Sequence, residues 1–176
     1  MLRILALTTA LAAATALAGC THDETQTTDL DFANGQPMGF HYLDEGATAK
    51  LAYGEANSDN VGLMMECAKG SRTVQVTDLV RAAAAATLTL ASNGARTNLP
   101  ATVDSAMGPA VVTASLRSDA PALAGFRSSG AMQVSYGGVR YAMQAAPAER
   151  DRVERFFTAC AAPAPAGPDL ADQNPL

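Results

Sequence analysis

The sequence predicts a mainly β fold: a small antiparallel sandwich or partly closed barrel with one C-terminal α-helix packed on it. Three observations lead there. Several segments alternate apolar and polar residues with a period of two, as half-buried strands do. Turn signals separate these runs at intervals of roughly 8–12 residues, the spacing of sandwiches and barrels. One segment near the C-terminus repeats its apolar residues at helical spacing instead.

In chain order, Gly39-Phe40-His41-Tyr42-Leu43 reads as a strand, with Phe40 and Tyr42 on one side and His41 on the other. A polar loop at residues 54–60 separates two strands. Val61, Leu63, Met65 and Cys67 then alternate with Gly62, Met64 and Glu66. Val74 and Val76 alternate with polar neighbours, as do Leu88 and Leu90, after which Asn93-Gly94 signals a turn. Residues 111–116 form another β-branched run. The clearest hairpin joins residues 132–136 to 139–143 through Gly137-Gly138, which supply the positive φ values of a two-residue turn. The expected total is about seven to nine strands. Residues 81–86, RAAAAA, are ambiguous between a strand edge and a short helical crossing.

The helix is expected over residues 148–160. Pro147 suits a first turn, and Glu149 and Asp151 lie near the positive end of the dipole. Val153, Phe156, Phe157 and Cys160 fall on one stripe. The remaining face, with Arg150, Arg152 and Arg155 among Glu149, Asp151 and Glu154, reads as solvated with local ion pairs.

The chain has 176 residues, 48% hydrophobic, 16% charged and 5% aromatic, with a net charge of −5. That length suits one ordinary domain. The acidic balance argues against nucleic acid as a partner, since nucleic-acid binding needs a basic footprint. Four regions are expected: a signal peptide at 1–19, a lipidated Cys20 with a flexible acidic tether at 20–37, the β-rich domain with its helix at 38–160, and a disordered Ala/Pro-rich tail at 161–176.

The signal begins with Arg3 as its only charge and continues with an apolar run from Ile4 to Leu17. That run is shorter than the roughly 20 residues needed to span a bilayer. Its end, Leu17-Ala18-Gly19-Cys20, resembles the lipobox of bacterial lipoproteins. The resemblance covers the signal only. It implies that the Cys20 thiol receives a diacylglycerol, that the chain is cut before Cys20, and that the new amine is acylated. The implied partner of Cys20 is therefore the membrane itself, with the domain facing the periplasm. In enterobacterial members an Asp directly after the lipidated Cys retains the protein at the inner membrane. Here Thr21 follows, and the first Asp is Asp23, which favours the outer membrane.

Cys67 and Cys160 remain. Both fall on the inward face of their elements, and an exported protein meets an oxidising compartment. A disulfide between them would close a loop of about 90 residues and contribute roughly 4–5 kcal/mol by the chain-entropy estimate. A redox-active pair is disfavoured because there is no Cys-x-x-Cys spacing.

No catalytic set, metal site or cofactor is expected. His41 is the only histidine of the folded region, and neither a nucleophile elbow nor a phosphate-cradling loop is present. Met38, Met64, Met65, Met107, Met132 and Met143 could suit Cu(I), but their strand positions fit core filling better. Glu55 and Asp59 in the polar loop could meet calcium, but a turn whose side chains bond their own backbone is the simpler reading.

The expected function is that of a membrane-anchored envelope lipoprotein acting as a non-enzymatic binding or structural module, with an envelope protein as a possible partner. The alternative is a periplasmic small-ligand or metal-binding module. A third reading is a hydrolase using His41 with Glu55 or Asp59.

Overall fold

The computed structural model describes residues 37–80, 87–105 and 110–161. The signal at 1–19, Cys20, nearly all of the tether, the 81–86 segment, Met107 and the tail beyond Ala161 lie outside the described residues.

The fold is mainly β. Among the described residues there are ten strands, β1 (Met38–Glu45), β2 (Thr48–Glu55), β3 (Val61–Ala68), β4 (Thr73–Val80), β5 (Thr87–Ser92), β6 (Ala95–Pro100), β7 (Thr102–Asp104), β8 (Ala110–Arg117), β9 (Ala131–Tyr136) and β10 (Val139–Gln144), and two α-helices, α1 (Pro121–Ser129) and α2 (Arg150–Ala161). They form a six-stranded sheet in the order β1-β2-β3-β4-β8-β7 and a four-stranded sheet in the order β10-β9-β5-β6. Every strand pair is antiparallel. The sheets do not close on each other, so the fold is a sandwich and not the partly closed barrel that was the other expectation.

Alternation places the core. Phe40, Leu51, Leu63, Met65, Val74, Val76, Val112 and Leu116 point inward from the larger sheet. Leu88, Leu90, Met132, Val134 and Met143 meet them from the smaller one, forming one continuous core. The hairpin read from Gly137-Gly138 is present, with Val139 opposite Tyr136 and both glycines at positive φ.

The helix begins as a short 3₁₀ turn at Pro147–Glu149 and continues as α2, with Val153, Phe156, Phe157 and Cys160 buried. It packs on β1 and β2 of the six-stranded sheet and touches α1, which packs on β5, β6 and β9. Cys160 is disulfide-bonded to Cys67 at a Cα separation of 5.8 Å. The β3–β4 turn donates to the last carbonyls of α2, from Gly70 N to Ala159 O at 3.0 Å and from Arg72 N to Cys160 O at 3.1 Å. These bonds satisfy helix-end acceptors that have no partner within the helix.

Two features depart from the sequence reading. Helix α1 was not anticipated. It starts with Pro121 in its first turn, buries Ala122, Leu123, Gly125 and Phe126, and ends at Gly130 in the left-handed conformation. Nine residues with a central glycine give too weak a helical period to stand out. The charged face of α2 is also not merely solvated with local pairs. Arg150 donates to the Arg127 and Ser128 carbonyls at the end of α1, at 2.9 and 2.7 Å. Arg152 donates to Phe40 O at 3.0 Å, Arg155 lies over the Tyr42 ring, and Arg127 of α1 pairs with Glu154. These arginines tie α2 to its neighbours. Phe40, Phe126, Phe157 and Phe156 form a chain of ring contacts through the same region.

Candidate functional site

The inner face of the six-stranded sheet is covered. Its outer face carries the residues that the sequence singled out. Register puts His41 opposite Ala52, Ala52 opposite Met64 and Met64 opposite Thr77, so these four share one row across β1 to β4. Ala52 is only 7% exposed but is not part of the core cluster, which fits a small floor residue between taller neighbours. The next row holds Leu43, Lys50 and Glu66. Leu43, 42% exposed, is the one exposed large hydrophobic residue among the described residues.

The β2–β3 turn builds the far wall. A register irregularity falls between Tyr53 and Gly54. There the chain folds back so closely that a Cβ on Gly54 would lie 2.6 Å from Asn60 O. Glu55 N donates to Asn60 O and Val61 N to Asp59 O, both at 3.0 Å, and Asn60 N donates to Ser58 Oγ at 2.9 Å. This is the self-bonded turn that the Asn, Ser and Asp residues suggested.

Sheet and turn together enclose an open cleft of about 440 Å³, lined by His41, Lys50, Ala52, Glu55, Asp59 and Met64 among others. The His41 ring nitrogen Nε2 lies 3.3 Å from Gly54 O. Lys50 is held by Glu45 at 2.8 Å and Glu66 at 3.7 Å. Glu55 is 5% exposed. Ser58 Oγ donates to its Oε2 across a long 3.5 Å, while Oε1 is buried without a hydrogen-bond partner. A buried acceptor left without a donor costs on the order of 1–3 kcal/mol, which marks this oxygen as unusual.

A second depression, of about 500 Å³, lies against the four-stranded sheet and is lined by Arg96, Gln133, Gln144 and several alanines. It contains neither a carboxylate nor a buried unpartnered side-chain atom. Volume alone does not make it the better site.

Cys67 and Cys160 lie on the inner side, away from the cleft. Met65, Met132 and Met143 are core residues as expected, and Met64 belongs to the cleft. Among the described residues no three His, Cys, Asp or Glu side chains converge as a metal site would require.

Sequence reasoning missed the other buried carboxylate. Asp78 on β4 is 1% exposed and accepts a 2.5 Å hydrogen bond from the Tyr141 hydroxyl of β10, across the sandwich. Burial pushes Asp78 up to about 6, and the Tyr141 bond partly opposes that rise. Burial, then the nearby Asp78 carboxylate, raises the Tyr141 hydroxyl well above its ordinary value. The missed signal was parity: Asp78 shares the inward phase of Val74 and Val76.

Against known protein families, curated proteins and solved structures, the chain matches none.

Proposed function

We propose that this protein is a lipid-anchored module of the cell envelope that binds a ligand through the cleft on the outer face of its six-stranded sheet, without catalysing a reaction. The observation that carries the binding reading is an open cleft of about 440 Å³ on that face, where His41, Lys50 and Asp59 stand beside Leu43, Ala52 and Met64. The anchoring reading rests on Leu17-Ala18-Gly19-Cys20. It is compatible with the absence, among the described residues, of any helix long and apolar enough to cross a membrane.

Binding is favoured over hydrolysis by what the cleft residues do. The His41 ring faces a backbone carbonyl, and the Ser58 hydroxyl is engaged with Glu55 and Asn60. A hydrolase built on His41 would need a nucleophile within hydrogen-bond reach of that ring, whose Nε2 lies against Gly54 O instead.

Fractionation of producing cells tests the anchor. The wild-type chain is expected in the membrane fraction, with an acylated Cys20 as its first residue, and Cys20→Ser is expected to abolish acylation. A wild-type mature N-terminus at any other residue would overturn the lipoprotein reading.

A further inference from the structure

We propose that β10 is a pairing edge for a second copy of this chain, the two strands running antiparallel about a two-fold axis at Ala142. This surface belongs to the four-stranded sheet and is separate from the cleft.

The two open sheets leave four edge strands, β1, β7, β10 and β6. An exposed edge is a template for another strand, and proteins blunt edges with short strands, prolines, charges or covering elements. Three of these edges are blunted. Helix α2 packs on β1, and its Arg152 donates to the Phe40 carbonyl at 3.0 Å. Strand β7 has only three residues. Strand β6 ends at Pro100, which has no N–H, and touches β8 of the other sheet. β10 differs from all three. Its six residues keep one unbroken register against β9, without proline, lysine or bulge. Among the described residues, β9 is the one element that runs alongside it.

The hairpin turn fixes which backbone groups face outward. Gly137 and Gly138, both at positive φ, form a two-residue turn, so the flanking Tyr136 and Val139 bond to each other. Alternation then directs the backbone groups of Val139, Tyr141 and Met143 to β9, and those of Arg140, Ala142 and Gln144 to the open side. Ala145, next in the β9-facing phase, keeps this order by donating to Gly130 O at 2.8 Å. No backbone group among the described residues meets the outward three. Ala142 and Gln144 are exposed, and Arg140 is half-buried.

The occupant follows from the strand being its own complement. In the antiparallel register centred on Ala142, Ala142 stands opposite its own copy and Arg140 opposite Gln144. Residues so paired exchange both backbone hydrogen bonds, and this register uses every outward residue of the strand. Arg140 is the strand's one charge, and it meets a neutral amide. A register centred on Arg140 would set two guanidiniums opposite each other, which is destabilising. Alanine at the axis lets the two backbones approach without a side-chain clash. A two-fold contact of this kind also closes on itself, so pairing stops at a dimer.

The whole protein, purified in detergent from producing cells, is sedimented across a concentration series. The wild type should show a reversible monomer–dimer equilibrium. Ala142→Pro deletes an outward N–H and leaves the β9 bonds intact, so it should weaken self-association at least roughly ten-fold with an unchanged thermal midpoint. Should that variant fail to fold, Ala142→Lys, which places a charge at the axis, should have the same effect. Mild oxidation of Ala142→Cys should give a dimer linked through position 142 by peptide mapping, because paired Cα atoms about 5.5 Å apart fall within disulfide reach. Arg140→Cys should give no link between its own copies. A monomeric wild type, or full dimerisation in the variant that folds, overturns the proposal. A link between two copies of Arg140→Cys without one at position 142 overturns it as well. A different chain that co-purifies with a monomeric wild type and is lost in Ala142→Pro overturns self-pairing and assigns the edge to that chain.

Discussion

Asp78 and Glu55 are both carboxylates taken almost wholly out of water, at 1% and 5% exposure, and they sit near the same end of the larger sheet. Their surroundings differ in one respect. Asp78 faces the interior and receives the Tyr141 hydroxyl from the opposite sheet. Glu55 stands at the rim of an open cleft with one oxygen unpartnered. Burial alone therefore does not mark a functional group. Asp78 has a donor from across the core and is part of the packing, whereas Glu55 receives only the long Ser58 bond within its own turn.

The largest expected effect tests whether these regions depend on the frame at the other end of the sheet. Cys160→Ser opens the bridge to Cys67, which spans a sequence separation of 93, and should cost roughly 4–5 kcal/mol in urea denaturation. The pH dependence from Asp78 should survive it, because Leu63, and not Cys67, is the β3 residue opposite Asp78. Loss of that dependence would mean that the two ends are one cooperative support.

Next comes the titration of Asp78. Its folded value of about 6 lies above the ordinary 3.8. Between those values the folded state holds more protons than the unfolded one. Stability should therefore fall as pH rises from 4 toward 6 and level off above, by about 3 kcal/mol from this group. Asp78→Asn should flatten that slope in urea midpoints collected across the range. An unchanged slope would place the titration elsewhere.

Tyr141→Phe should cost about 1–3 kcal/mol at neutral pH, since it leaves Asp78 buried without its donor. The smallest effect is expected for Glu55→Gln, within about 1 kcal/mol of wild type in the same assay, because Oε1 loses no partner. If Glu55→Gln were as damaging as Tyr141→Phe, Glu55 would be a packing residue and the contrast would collapse.

What was legible in the sequence follows its periodicity. Val61 to Cys67, the Gly137-Gly138 hairpin and the Val153–Phe156–Phe157–Cys160 stripe each carry a period that one layer of core imposes. The inward phase of Cys67 and Cys160 made their pairing readable as well. The three-residue strand β7 is too short to show a period, and β2 was implied only by the loop after it. His41, Glu55, Asp59 and Met64 were each singled out separately, and nothing in their spacing joined them. His41 and Met64 meet through Ala52 on the strand between them, a pairing that spacing along the chain does not record.

The sequence by itself determined the mainly β class, the position of the C-terminal helix and the inward face of most strands, because burial of one face writes itself into local alternation. Leu17-Ala18-Gly19-Cys20, on which the proposed anchor rests, is likewise a local motif. Only the tertiary structure decided that two open sheets form, that α2 is held by arginines and not merely solvated, and that one buried carboxylate meets a tyrosine while the other does not. Those outcomes depend on partners far apart in sequence, such as Asp78 and Tyr141, and no local pattern records which donor will arrive from across the core.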